Sequence, residues 1–247
     1  AAGSLFAVVN LVLIVPVYLG APAHETGSKT FRAVFLNVST PNRAHDKVIS
    51  FIGSTGADFI VIAEVNDLWI RKLRSGLEDY TFCRQSPRED NFGIALMSRF
   101  LIEDGGIVTI GETAVPSVMV RLKVDGIMLT VIGVHTMPPK GRLHAQRRDR
   151  QIEELAKIVS ERDGPVMVLG DLNMTSWSPR FVDLLAGTGL KDSRQGFGLQ
   201  VSWPRRMPLL WIPIDHCLVS PDIVVHDRWV SPAVGSDHYP IVIDFSV

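Results

Sequence analysis

Six short aliphatic, largely β-branched runs in this chain abut a carboxylate, an amide or an imidazole. Ala33-Val34-Phe35-Leu36 ends in Asn37, and Ile60-Val61-Ile62-Ala63 ends in Glu64. Met128-Leu129-Thr130-Val131-Ile132 runs through Gly133-Val134 to His135. Pro165-Val166-Met167-Val168-Leu169 reaches Gly170-Asp171-Leu172-Asn173. Ile214-Asp215-His216 opens the run Cys217-Leu218-Val219, and Ser236-Asp237-His238 stands just before Ile241-Val242-Ile243. Continuous apolar runs of this length read as strands buried on both faces. Taken singly, each polar end has an ordinary reading. Glu64 is a solvated strand end, Asn37 and Gly-Asp-x-Asn are turns, and His135 is a structural histidine. All six are explained at once if the strand ends ring a single site.

Between the runs lie helical patterns. Residues 42–55 carry Val48, Ile49, Phe51 and Ile52 at amphipathic spacing, with Gly56 placed to end the helix. Further helices are expected over 67–77 and 143–161, and Ser178-Pro179 opens a short one, proline suiting the first helical position. Strands are expected over residues 31–38, 58–65, 92–98, 106–110, 118–124, 127–134, 165–169, 200–204, 214–220, 223–230 and 241–245. Asp125-Gly126 is a two-residue hairpin signal. Helices interleave with strands but hairpins also occur, so mixed sheets are expected rather than a purely parallel one. The number of strands favours an α/β fold of two mixed sheets packed face to face and flanked by helices. With 247 residues, 46% of them hydrophobic, residues 31–247 suffice for one large domain.

The N-terminal part differs in kind. Residues 4–21 hold no charge, and the run 5–19 is near the lower limit of about 17 residues for a membrane-spanning helix. Segment 1–21 is read as a membrane anchor remnant or as a helix packed on the domain, and 22–30, with Pro22, Gly27 and Ser28, as a linker. The first reading implies a membrane-associated protein. A net charge of −1 excludes a whole-molecule field that attracts nucleic acid. A local basic strip, residues 140–150, is either a solvated helix face or a contact for phosphate or lipid headgroups. Cys83 and Cys217 lie beside apolar residues and are read as small buried hydrophobes.

The polar ends suit one chemistry. Glu64, Asn37 and Asp237 offer hard oxygens, fitting Mg²⁺, with Mn²⁺ as a substitute, because Mg²⁺ keeps several waters and needs few protein ligands. His135 and His238 can donate hydrogen bonds to an anionic oxygen. Asp171 is a candidate base for a water, and Asn173 a donor for developing negative charge if the strand continues to it. Asp215 can orient one imidazole and favour its protonated form. No zinc-type thiolate or histidine pair, Gly-x-Ser-x-Gly elbow or phosphate-binding glycine loop is present. The set suits metal-assisted attack of water on phosphorus.

The order Asn37, Glu64, His135, Gly170-Asp171-Leu172-Asn173, Ile214-Asp215-His216, Ser236-Asp237-His238 resembles the endonuclease/exonuclease/phosphatase superfamily over residues 31–247. The resemblance implies a four-layered α/β sandwich and a Mg²⁺-dependent phosphoesterase. It implies Glu64 as the principal metal ligand with Asn37 assisting and Asp237 near the metal. It casts Asp171 as the water-activating carboxylate, Asn173 and His135 as phosphate contacts, and His238 as the imidazole that stabilises the phosphorane, oriented by Asp215. Residues 91–99, 173–181 and 213–216 resemble a bacterial branch whose members often carry N-terminal membrane helices. Ser39 stands where nuclease members commonly have an acid. The implied substrate is a phosphoester of nucleic acid, of a phospholipid headgroup or of an inositol phosphate, and no obligate protein partner is evident. The competing reading is a binding module that keeps the fold without turnover. Loops 138–142, 195–198 and 205–210 are expected to shape specificity.

Overall fold

Alternation of side chains organises the molecule into layers. In the computed structural model, which describes residues 14–20 and 29–247 with Pro16 as backbone only, twelve strands form two mixed six-stranded sheets. The first contains β1 (Phe31–Asn37), β2 (Phe59–Ala63), β3 (Phe82–Ser86), β4 (Ile94–Ser98), β11 (Val224–Val230) and β12 (Ile241–Ser246), in the order β11-β12-β1-β2-β4-β3. The second contains β5 (Ile102–Thr109), β6 (Pro116–Val124), β7 (Ile127–His135), β8 (Val166–Asp171), β9 (Lys191–Asp192) and β10 (Asp215–Val219), in the order β5-β6-β7-β8-β10-β9.

Each sheet has one parallel pair, β1 with β2 and β7 with β8. Parallel neighbours need a crossover, and helices supply it. Helix α1 (His45–Thr55) joins the first pair, and the longer α3 (Arg142–Ser160) joins the second. Helices α2 (Asp67–Gly76) and α4 (Pro179–Thr188) follow β2 and β8. Odd positions of β1 (Ala33, Phe35), β2 (Phe59, Val61) and β8 (Met167, Leu169) meet in the core between the sheets. Even positions of the first sheet (Val34, Leu36, Ile60, Ile62) pack on α1 and α2 through Val48, Ile52, Trp69 and Leu73. Ile132, Val166, Val168 and Leu218 of the second pack on α3 and α4. The result is the four-layered α/β sandwich.

Two expectations fail locally. Residues 200–204 do not form a strand: Pro204 has no N–H to give a ladder, and only an isolated bridge links Trp203 to Ile212. Conversely, β3 lies at a sheet edge where every residue is half-buried, so Phe-Cys-Arg-Gln-Ser carries no apolar signal. Residues 1–13 of the expected anchor and 21–28, most of the expected linker, lie outside the described residues. Val15–Tyr18 forms a 3-10 turn, and among the described residues no helix is long and apolar enough to cross a membrane.

Candidate functional site

The inter-sheet alternation continues past the apolar core into polar residues at one end of the sandwich. On β1 it runs Ala33, Phe35, Asn37; on β7, Leu129, Val131, Gly133, His135; on β8, Met167, Leu169, Asp171; on β10, Val219, Cys217, Asp215. The register pairs His135 with Asp171 and Asp171 with Asp215, setting the three side by side across β7, β8 and β10. Gly170 makes this close arrangement possible, since a Cβ there would lie 2.1 Å from the Val134 carbonyl oxygen. The facing sheet contributes Asn37 and Glu64, and His238 enters from the segment before β12.

Asp171 is the hub. Its Oδ1 accepts the Asn173 N–H at 2.9 Å, and its Oδ2 lies 3.4 Å from the Asn37 amide nitrogen and 3.7 Å from Nε2 of both His135 and His238. Nδ1 of His238 meets both Asp215 oxygens at 3.1 and 2.9 Å. Asn37 also donates to Glu64 Oε1 at 2.8 Å, while its own oxygen accepts the Ser39 N–H. Thr40 holds Glu64 from two sides, through its N–H to the carboxylate and its hydroxyl to the carbonyl. The exposed Asp237 accepts from Trp203 Nε1 at 3.2 Å.

Strain concentrates here. Among the described residues, six non-glycine residues have positive φ, and four of them, Ser39, Glu64, Asn91 and Asn173, border one cleft of about 490 Å³. Left-handed backbone costs a non-glycine residue on the order of 1 kcal/mol and persists only where the surroundings enforce it. At Asn173 it also decides the condition left by the sequence, that the strand continue. The strand stops at Asp171, and the left-handed turn brings the Asn173 amide to the Thr136 carbonyl at 2.9 Å. Glu64, His135, Asp171, Asn173, Asp237 and His238 all line the cleft. Asn37 and Asp215, 1% exposed each, sit behind them. Loops 138–142 and 205–210 adjoin the cleft through Pro138, Pro139 and Lys140 and through Arg205, whose N–H donates to Asp237 O. Loop 195–198 does not line it; Gly196 and Gly198 donate to the Val17 carbonyl instead.

Burial and neighbours divide the protons among these groups. Burial, then the Asp215 charge, pushes the Asp171 carboxyl well above the usual carboxylate range. Burial alone lowers an imidazole, but Asp215, with Asp171 and Asp237 adding to it, overrides this at His238 and raises it to about 10. Burial, with His238 beside it, lowers His135 to about 4 and leaves it neutral. Burial also raises Glu64, against the Asn37 hydrogen bond.

Ligand atoms of Asp171, Asp215 and His238 all lie within 4.8 Å of one another. Asp215 already spends both oxygens on His238, however, and His238 is an imidazolium, so that trio is an internal ion pair. Glu64, which borders the cleft with Asp237 and Asp171 near it, could hold a cation. Four carboxylates face one imidazolium, an excess of negative oxygen that fits a hard divalent cation.

Sequence reasoning missed several supports. Ser202 Oγ accepts the N–H groups of Ile214 and Asp215, fixing the start of β10. Ser236 Oγ accepts the His238 N–H, a serine-turn pattern visible in Ser236-Asp237-His238 had it been read that way. Trp203 also touches Asp237. Nothing in the sequence marks Thr40 or Ser202.

The profile of the Endonuclease/Exonuclease/phosphatase family matches residues 34–238. No curated protein matches the sequence. Among solved structures, the chain is similar to TDP2 of D. rerio complexed with single-strand DNA product, at 15% identity and a TM-score of 0.76, covering 89% of this chain and 100% of that one. It is similar to an endonuclease/exonuclease/phosphatase of Bacteroides vulgatus at 20% identity and 0.73, covering 89% and 99%. It is also similar to the mannosyl-6-phosphatase Bt3783 of Bacteroides thetaiotaomicron at 17% and 0.71, covering 88% and 100%. At these identities the likeness is one of fold.

Proposed function

The chain belongs to the endonuclease/exonuclease/phosphatase family, and from that premise we propose that it is a Mg²⁺-dependent phosphoesterase. It hydrolyses a phosphodiester or phosphomonoester by in-line attack of water. The observation that supports this most is the sharing of one cleft by Asp171 and an Asp215-clamped His238, delivered from separate strand ends.

Asp171 takes the proton of the attacking water. Its raised pKa makes it a better base than an exposed carboxylate, and the Asn173 N–H pins one oxygen so that the other faces the cleft. His238 stays protonated because Asp215 holds Nδ1, and its Nε2 N–H offers charge to the phosphoryl oxygens or the leaving oxygen. Neutral His135 adds an uncharged donor on the other side of Asp171. Glu64, with Asp237, is the seat for Mg²⁺ or Mn²⁺, which when bound neutralises charge on the phosphoryl group.

The test is hydrolysis of bis(p-nitrophenyl) phosphate and p-nitrophenyl phosphate with Mg²⁺. Asp171→Ala and His238→Ala are each expected to lower kcat by about a hundredfold or more, and EDTA to remove turnover. Variants as active as the parent would overturn the assignment. Metal binding without turnover of any phosphoester would favour the binding-module reading.

A further inference from the structure

Outside the catalytic groups, the most unusual surface is the loop that joins Trp203 to Ile212. Both of these residues line the cleft, so the loop is one of its lips. Its tip is apolar and open: Leu209 is 100% exposed, Leu210 54%, Met207 53% and Trp211 40%. A chain does not leave four large apolar side chains together in water without a use for them. A second lip, residues 138–143, carries exposed Pro139, Lys140, Arg142 and Leu143. Charge follows the same pattern. Stretches 136–148 and 202–214 contain six of the chain's 25 lysines and arginines and none of its 26 acids. An apolar groove of about 590 Å³ begins at Trp211 and Tyr239 and runs along Leu199, Val201 and Val230. Its Leu199 wall follows directly on Gly198, whose N–H holds the Val17 carbonyl, so the described end of the N-terminal apolar run is tied beside it.

We propose that these two lips are a docking surface for an anionic phospholipid bilayer, set so that the cleft opens onto lipid headgroups. Leucine, methionine and tryptophan at a loop tip are the side chains that enter the headgroup–acyl boundary, with arginine and lysine stems behind them in contact with anionic lipid. Nucleic acid would use the cations but gain nothing from a bare Leu209-Leu210 tip, so charge and apolarity together favour the bilayer. The consequence for substrate, an ester presented by lipid, rests on the phosphoesterase reading; the docking itself does not.

The two are separated by measuring binding without turnover. The full chain is sedimented in EDTA with phosphatidylcholine vesicles, with and without phosphatidylserine, and soluble bis(p-nitrophenyl) phosphate hydrolysis is assayed apart. The parent is expected to bind the anionic vesicles better, with Trp211 fluorescence quenched by brominated lipid. Leu209→Asp with Leu210→Asp should weaken partitioning by about tenfold or more. Arg142→Glu with Arg206→Glu should erase the preference for phosphatidylserine. The leucine variant should hydrolyse the soluble ester at the parental rate. Undiminished vesicle binding by it would assign binding to the N-terminal run and overturn the proposal. So would absence of parental binding, or a leucine variant whose defect lies in self-association or in DNA binding instead. Failure to cleave the soluble ester sinks the phosphoesterase reading alone.

Discussion

Asp215, buried, and Asp192, its side chain 13% exposed, are carboxylates on neighbouring strands, β10 and β9, yet they live in opposite company. Asp215 faces the cleft end, where it, Asp171, Glu64 and Asp237 surround a single imidazolium. Asp192 lies in a more closed cluster, with two fully buried arginines, Arg194 and Arg228, behind it. Arg194 clamps it with Nε, Nη2 and its own backbone N–H. Arg228 donates Nη1 to Gln200 and Nη2 to the Asp215 carbonyl at 3.5 Å, which joins the two clusters, while its buried Nε has no partner. Where cations outnumber acids, burial's tendency to protonate the acid is overcome, and Asp192 is held down at about 2. Where acids outnumber cations, burial and repulsion act together and Asp171 is driven up. The first arrangement is a closed structural device. The second is left with unbalanced negative charge at an opening.

The contrast can be broken most forcefully from the closed side. Asp192→Ala leaves two buried guanidiniums without a counter-charge, and removal of one partner from such a set costs about 3–5 kcal/mol. Urea unfolding is expected to show a loss of that order, with kcat per folded molecule little changed. A loss below 1 kcal/mol would show that the cluster is solvated rather than closed. In the open cluster the same kind of change should act on rate. Asp215→Asn keeps the shape but removes the charge that holds His238 protonated. We expect kcat to fall by about a hundredfold, close to 3 kcal/mol of barrier, and stability to be kept or slightly raised, because Asp171 loses a like charge directly opposite it in the register.

How far each cluster was legible follows from the same physics. The open site was readable because strand alternation forces it. Once Ala33-Phe35, Val131-Gly133 and Met167-Leu169 face the inter-sheet core, Asn37, His135 and Asp171 must face the same way. The layers were readable for that reason too. The closed cluster was not. Asp192-Ser193-Arg194-Gln195 has the composition of a solvated loop, and its burial is conferred by tertiary packing. Arg228 sits just beyond a register shift between Val225 and Asp227, so alternation from Val225 would have placed it outward. The sequence places Asn173 with the site only on condition that the strand continue, and the structure instead shows a left-handed turn that carries it to Thr136.

Acid titration separates the clusters by sign. Burial, reinforced by Arg194, lowers His216 in the closed region to about 4, and it stacks near Phe181 with Nε2 on the Met174 carbonyl. The unfolded chain therefore takes up a proton near pH 6.5 that the folded chain refuses until about pH 4, so stability is full above 6.5 and falls across that window. Asp192 adds a second loss, on the order of 2 kcal/mol, as pH drops from about 4 towards 2. Asp171 runs the other way, since its raised pKa means that protonation favours the folded form. Melting curves should show the parent losing more Tm than His216→Leu between pH 6.5 and 4. His216→Leu should also cost about 1 kcal/mol at neutral pH through the Met174 carbonyl left unpaired. Equal changes of Tm over the window in the parent and in His216→Leu would refute the buried neutral histidine.

The smallest effect belongs to the rim of the open cluster. Trp203 gives Asp237 one hydrogen bond of 3.2 Å at a solvent-accessible position, with its ring 6.3 Å from that of His238. Such a bond contributes about 0.5–1 kcal/mol at most, against the several kcal/mol at stake where Asp192 meets its arginines. Trp203→Phe keeps the ring and removes the donor, freeing Asp237 to swing. If Asp237 helps to seat the cation, the Mg²⁺ concentration for half-maximal rate should rise by about threefold, with kcat within about twofold of the parent. If it does not, that concentration stays fixed, and the imbalance of charge that distinguishes the open cluster must be carried by Glu64 and Asp171 alone. A variant that instead lost fold stability on the scale of Asp192→Ala would show that the rim is as closed as the interior, and the distinction between the two clusters would collapse.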